Sequence, residues 1–248
     1  MLNLSRRSVR LLVIPLVALL AAACEHNDLG TGTTTGGPGP GPSLGTAATY
    51  GILAGASVTC ASSATFPSTI NADVGISPGS TLTGFPPCTI TGATNLANAA
   101  ALTAQSYALA TYNDLAGMPC GTTVGTADMG GTTKTAGVYC SGSTLGVTGT
   151  LTLDGGGNSN ALFVFQAGSA LTTGGANPNI KLINGAQAKN VWWQIGSSAT
   201  IGTNNRFLGN IVAFTSITLS GADTLIGRAL ALNGSVVLSA NSDVITLP

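Results

Sequence analysis

Between residues 197 and 247 the chain writes nearly the same line three times, and this repetition limits the fold more than any other feature. Ser198-Ala199-Thr200-Ile201-Gly202 opens the first line, which Arg206-Phe207-Leu208-Gly209-Asn210-Ile211-Val212-Ala213-Phe214 completes. Ser216-Ile217-Thr218-Leu219-Ser220 opens the second, completed by Thr224-Leu225-Ile226-Gly227-Arg228-Ala229-Leu230-Ala231-Leu232. Ser235-Val236-Val237-Leu238-Ser239 opens the third, which runs to Asp243-Val244-Ile245-Thr246. Short alternating segments divided by Gly, Ser and Asn, at a period of roughly 20 residues, are the signature of stacked β-solenoid coils. Three short strands per line predict a three-sided cross-section. The two-strand unit recurs far upstream, where residues 68–77 align on residues 205–214. The solenoid is therefore expected to be assembled discontinuously along the chain.

Side chains of a strand point alternately in and out, so the pattern assigns faces. On face one, Ala199, Ile201, Ile217, Leu219, Val236 and Leu238 are expected inside, with Thr200, Thr218 and Val237 outside. On face two, Phe207, Leu225 and Val244 are expected inside, leaving Arg206, Leu208, Thr224, Ile226, Asp243 and Ile245 outside. Face three places Ile211, Ala213, Ala229 and Ala231 inside and Val212, Phe214, Leu230 and Leu232 outside. An outer face so apolar is rarely left bare, so a cover is required.

Residues 94–115 supply the candidate cover. This stretch is rich in Ala, carries Leu96, Leu102, Leu109 and Leu115, lacks internal Gly and Pro, and reads as the one long helix. Thr91 or Thr94 is expected to cap its start, and Gly117 with Pro119 to end it. Residues 121–142 read as a Gly/Thr-rich cap or loop. Solenoid text then returns in Leu151-Thr152-Leu153, Leu162-Phe163-Val164-Phe165-Gln166, Ala170-Leu171-Thr172-Thr173 and Asn190-Val191-Trp192-Trp193-Gln194. Of the adjacent tryptophans, one is expected in the core and the other under a loop or the helix.

The first 23 residues read as an export signal. Arg6, Arg7 and Arg10 precede a charge-free run at residues 11–20, and Ala21-Ala22-Ala23 leads into Cys24. That run is too short and wrongly flanked for a membrane span. Three alanines before Cys24 resemble a bacterial lipobox, in which Cys24 is acylated and becomes the mature N-terminus, although Ala21 stands where Leu is usual. Ordinary cleavage near Ala23 stays open, so the chain is expected at the cell surface or outer membrane through a lipid anchor, and otherwise secreted. Residues 24–46 form a Gly/Thr/Pro tether that cannot bury enough apolar surface to offset its ordering entropy. The folded domain is expected over residues 47–248.

Without the signal, five basic residues face eight acidic ones, which leaves no basic patch for nucleic acid. Only 6% of the chain is charged; about a quarter is normal for a globular protein. The cysteines of the domain, Cys60, Cys88, Cys120 and Cys140, read as two disulfides in an exported chain. Of the three connectivities, Cys60–Cys88 and Cys120–Cys140 each staple a loop-rich region on one side of the helix. No Cys-x-x-Cys and no nearby His suggest a metal, and no cofactor is expected.

Catalysis finds few groups to work with. From Tyr50 onward there is no His and no Glu, and Asp73, Asp114, Asp128, Asp154, Asp223 and Asp243 are scattered. Asp223 and Asp243 lie one coil apart, but the Gly and Ser around them read as solvated corners rather than as a paired acid and base. No nucleophile can be paired with a His. The domain is read as non-enzymatic.

What remains is surface. Outward Thr152, Thr200 and Thr218, joined by Thr172, are expected to form a ladder on face one. β-Branched threonine is stiff at χ1, and neighbours stand about 4.8 Å apart across strands and about 6.6 Å along them. Such spacings are close to repeats of an ice lattice. Threonine is also simply a good exposed strand residue, so periodicity alone leaves both readings open.

Several phrases carry a family resemblance. They are Tyr50-Gly51-Ile52-Leu53-Ala54-Gly55, Gly75-Ile76-Ser77-Pro78-Gly79, Thr83-Gly84-Phe85-Pro86-Pro87, Leu151-Thr152-Leu153-Asp154-Gly155, Phe163-Val164-Phe165-Gln166, Leu182-Ile183-Asn184-Gly185-Ala186-Gln187-Ala188 and residues 193–203. Together with Gly209-Asn210-Ile211 and Thr215-Ser216-Ile217-Thr218-Leu219, they resemble the microbial ice-binding (antifreeze) proteins across residues 47–247. The resemblance implies a discontinuous right-handed β-solenoid, triangular in section, with one long helix along a face and ice bound through a flat face. The partner of the chain is then an ice crystal surface; a monomer is expected, the charge count leaves no nucleic acid, and the membrane is engaged only through the lipid anchor at Cys24. The family's Thr-(Ala/Gly)-x-(Thr/Asn) signature is poorly kept, with Gly221-Ala222-Asp223-Thr224 and Thr203-Asn204-Asn205-Arg206 in its place. Arg206 and Asp243 would break a lattice match on face two. Face one is therefore the first expectation for ice, and face two, through Thr69, Asn71, Thr224 and Ile226, the second. A surface adhesin or structural module that binds carbohydrate or protein is the rival reading, favoured by exposed aromatics beside the Thr rows.

Overall fold

The computed structural model describes residues 41–126, 128–174, 179–240 and 242–248. The export signal, Cys24 and most of the tether lie outside the described residues. Every named strand pair is parallel, and three lines of strands stack along one axis. Face one is a seven-stranded sheet that stacks Leu145–Val147, Leu171–Thr173, Ala199–Ile201, Ile217–Leu219, Val236–Leu238, Ser57–Cys60 and Thr81–Thr83. Faces two and three share a twelve-stranded sheet, because Arg206–Ala213 and Thr224–Ala231 each serve both. The front half of Thr224–Ala231 pairs with Val244–Thr246, while its rear half pairs with Tyr50–Ala54. Between the halves Gly209 sits at φ 112, and a Cβ on its partner Gly227 would lie 1.8 Å from the Gly209 carbonyl oxygen. Only glycine fits there.

The discontinuity follows the recurrence at residues 68–77. Tyr50–Ala54, Ser57–Cys60 and Thr69–Asn71 stack on the third repeat or its neighbour, so the early coils continue the solenoid beyond its last ones. Inward side chains form columns through the join, such as Phe207, Leu225, Ile245 and Ile70, all at most 1% exposed. At the other end the coils are wider, and aromatic rings fill them. Phe165 stacks on Trp193 at 4.2 Å and on Tyr139 at 5.3 Å, and Trp193 meets Phe207 at 4.9 Å. Such pairs add about 0.5–1.5 kcal/mol each beyond the area they bury. Trp192 points the other way, into a second core beneath the helix.

The helix spans Ala99–Gly117 and covers face three. It starts later than the sequence implied. Thr94–Leu96 is instead a strand that completes the end coil against Asp73–Ile76, and the Asn98 side chain caps the helix by accepting from the Ala101 N–H at 2.9 Å. Ala101, Ala104, Ala108, Thr111 and Leu115 form its buried side, against Val212, Leu230 and Leu232. Small side chains bring its backbone close to the sheet, while Leu102 and Leu109 stay exposed. Phe214, the last apolar residue of that face, is 45% exposed beside Tyr112. Gln105 Nε2 donates to the carbonyls of Ala231 and Leu232, and Gln166 Nε2 to those of Leu115 and Met118. These amides fasten the helix to the strand ends.

The cap or loop expected at residues 121–142 is a cap that carries strands. Thr122–Thr123, Thr133–Thr135 and Gly137–Ser141 complete the top of the stack, the last in full register with Phe163–Ala167. Disulfides join Cys60 to Cys88 and Cys120 to Cys140, the pairing expected from their placement about the helix. The end of the expected tether also packs on the fold: Thr111 Oγ1 donates to the Ser43 carbonyl.

Candidate binding surface

Face one carries a central outward row. Gly146, Thr172, Thr200, Thr218, Val237, Thr59 and Thr83 occupy equivalent positions on its seven strands. Thr172, Thr200 and Thr218 are therefore neighbours, as the period implied. Thr152 is not among them. It belongs to a separate three-stranded sheet, between Thr133 and Lys181, because Leu151–Asp154 occupies the face-two position of its coil. Beside the row runs a second line of hydroxyls, which ends at Ser57 and the exposed Thr81. Ser198 Oγ accepts from the Ser216 N–H, Ser216 Oγ from the Ser235 N–H, and the Ser57 and Ser235 hydroxyls are 2.8 Å apart.

Face two differs from its expected pattern in one strand. Ile245 is fully buried and pairs with Leu225, so Val244 and Thr246 are the outward residues. Asp243 is buried as well and does not stand on the face. The loop before this strand is one residue longer than the alignment of the third line allowed, and a slip of one residue exchanges the faces. Leu208 points outward yet is 3% exposed, on a strand that Ile180–Ile183 and Ala188–Asn190 contact.

These corrections leave a uniform wall. Thr224 and Ile226, Val244 and Thr246, Thr69 and Asn71, and Thr89 and Thr91 stand on four successive strands in two rows. None is charged. Thr89 Oγ1 donates to Thr69 Oγ1 at 3.2 Å, and Asn71 Nδ2 to Thr246 Oγ1 at 3.3 Å. These lateral bonds add to the stiffness of β-branched side chains and fix the rows before any ligand arrives. Charge begins only above the wall, at Arg206, then Lys181 and Asp154. Of the second set of sequence candidates, Thr69, Asn71, Thr224 and Ile226 are all brought together here. Thr89, Thr91 and Thr246 were missed, although the Thr-x-Thr spacing of residues 89–91 was visible.

Asp223 and Asp243 are not solvated corners. They are 1% and 0% exposed and hydrogen-bonded to backbone at the join of faces one and two. Burial raises Asp223 to about 6; burial, with the Asp223 charge added, raises Asp243 to about 7.

Comparison with known proteins gives one consistent family. The sequence model described as ice-binding-like matches residues 52–244. An ice-binding protein of Nostoc sp. (strain HG1) is 47% identical over 199 residues, covering 80% of this chain and 72% of that protein. Ice-binding protein 1 of Shewanella frigidimarina is 40% identical over 135 residues, which is 53% of this chain and 15% of that longer protein. Among solved structures, an ice-binding protein from an Antarctic biological consortium aligns with a TM-score of 0.78 at 37% identity, over 87% of this chain and 94% of its own. That of the Antarctic ascomycete Antarctomyces psychrotrophicus aligns with a TM-score of 0.76 at 33% identity, over 84% and 98%.

Proposed function

Because the chain belongs to the ice-binding-like family, we propose that it adsorbs to ice through the two-row wall of face two, slowing ice growth or recrystallisation or holding a cell to ice. The observation that carries this reading is the charge-free block of eight outward residues from Thr224 to Thr91, in register over four strands. Each threonine offers a methyl that disfavours liquid water and a hydroxyl that can join an ordered layer. Repeats of about 4.8 Å by about 6.6 Å extend the match in two dimensions. A charge in the wall would hold a hydration shell that ice cannot incorporate. The burial of Asp243 removes one of the two charges that spoke against this face, and Arg206 stands at its rim. On face one the central row includes Gly146 and Val237, and the Ser198 and Ser216 hydroxyls beside it accept from backbone N–H groups, so it ranks second.

Export supports the same reading, since ice forms outside the cell. The signal pattern and Cys24 favour a lipid-anchored protein at the cell surface. Metabolic labelling with a palmitate analogue tests this: label is expected on the native chain and lost in Cys24→Ala, and a released, unlabelled native chain rejects the anchor.

The functional test is partition into a slowly grown ice hemisphere, with grain size followed in annealed polycrystalline ice. The full chain is expected to enter the ice above the level of a non-binding control and to keep grains small. A folded chain left in the liquid, with grains coarsening as in buffer, rejects ice adsorption and favours the adhesin reading.

A further inference from the structure

The corner where face one turns into face two is closed by a ladder of side chains on backbone. The Asn205 N–H donates to Asp223 Oδ1 at 2.8 Å, the Asp223 N–H to Asp243 Oδ1 at 3.0 Å, and the Asp243 N–H to Ser68 Oγ at 2.9 Å. All four residues are at most 1% exposed. In every coil the ladder residue directly precedes the one that opens face two: Arg206, Thr224, Val244 and Thr69. The same peptides carry sheet bonds, since the N–H groups of Thr224, Val244 and Thr69 donate at 2.8 Å to the carbonyls of Asn205, Asp223 and Asp243. Each coil is thus tied to the next by two bonds at the point where the chain enters the wall. A slide of one residue would break both and exchange the faces.

We propose that Asp223 and Asp243 are positioning residues for ice adsorption, which act through this ladder to set Thr224, Val244 and Thr69 on one line. The inference rests on the assignment of ice to the face-two wall.

The groups that face the two carboxyls are few. They are each other and the N–H groups of Asn205, Asp223, Ser220 and Gly221, the last donating to Asp223 Oδ2 at 3.1 Å; the Ser68 hydroxyl, with Ser62 2.6 Å behind it, takes the Asp243 N–H instead. Asp243 Oδ2 has no partner among the described residues. Arg206, the nearest cation along the chain, is exposed at the start of its strand and is not among their hydrogen-bond partners. With one carboxyl protonated the ladder holds at most one charge. Above neutrality both ionise, and like charges stacked one coil apart repel along the axis on which the rows are spaced.

The experiment measures ice partition of the full chain at pH 5 and pH 8, with folding followed by circular dichroism. It compares the native chain, Asp243→Ala, the double variant Asp223→Asn/Asp243→Asn, and the wall variant Thr224→Tyr/Thr69→Tyr. Native retention is expected to fall from pH 5 to pH 8 without loss of fold. The double Asn variant keeps the two Oδ1 acceptors of the ladder without the charge, gives up the Gly221 bond to Asp223 Oδ2, and is expected to be retained equally at both. Asp243→Ala is expected to be retained less than the native chain at pH 5. Should that variant not fold, the native chain and the double Asn variant decide through their pH profiles. Native retention that is flat with pH, or a double Asn variant that follows pH as the native chain does, overturns the proposal while leaving the wall intact. Undiminished retention of Thr224→Tyr/Thr69→Tyr removes the wall assignment instead, and the inference falls with it.

Discussion

Leu225 and Ile245 stack as core partners in adjacent coils, and their pairing turns Val244 and Thr246 outward beside Thr224 and Ile226. Ile245→Ala is therefore expected to lower stability by about 2–5 kcal/mol, the usual cost of emptying a closed core site. Val244→Thr, on the outside, is expected to stay within about 0.5 kcal/mol of the native chain. Urea unfolding of the two variants checks the register; a severe cost at residue 244 with little at 245 would reverse it.

The helix is held by its alanines. Ala104 and Ala108 are fully buried against Val212, Leu230 and Leu232, so Ala108→Glu sets an unpaired charge in an apolar seam. A loss of about 3 kcal/mol or more is expected. Leu102→Ser and Leu109→Ser alter exposed side chains and are expected to change the melting temperature little. Thermal melts of the three variants separate a docked alanine face from a leucine face.

Both disulfides close moderate loops, with sequence separations of 28 and 20 residues. In the chain-entropy model each contributes about 3 kcal/mol by restricting the unfolded chain. Cys60→Ser/Cys88→Ser and Cys120→Ser/Cys140→Ser are each expected to unfold at lower denaturant, and reductant is expected to shift the native chain but not a variant that lacks both bridges. Reductant without effect on the native midpoint contradicts this.

Stability is expected to fall as pH rises from about 5 to about 8. Asp223 and Asp243 have folded-state values raised above the ordinary carboxylate, so the folded chain holds protons that the unfolded chain has released, and this contribution is lost as pH climbs through about 6 and 7. The expected midpoint drifts downward by several degrees over that interval, and Asp223→Asn/Asp243→Asn flattens it. A midpoint that rises over the same interval shows that the pair is not protonated in the fold.

The parts of the fold legible in the sequence were those fixed by short-range alternation. The columns at Ala199 and Ile217, the apolar strip of Val212 and Leu230 and the need for a covering helix all follow from a period of two within a repeat. The misplaced parts depended on loop length. One extra residue before Val244 moved a carboxylate and an isoleucine from wall to core, a change that composition does not register. Thr152 was misassigned for a related reason, since in uneven coils Leu-Thr-Leu text fits any face, and pairing with Thr133 and Lys181 decides it. The Asp223–Asp243 ladder looked like turn chemistry because its partners are backbone groups one coil away.

The most direct test of the wall is ice partition of two bulky double variants of equal stability. Thr224→Tyr/Thr69→Tyr, on face two, is expected to stay in the liquid, while Thr200→Tyr/Thr218→Tyr, on face one, is expected to enter the ice with the native chain. The opposite outcome, in which the face-one variant is excluded and the face-two variant is retained, would contradict the assignment.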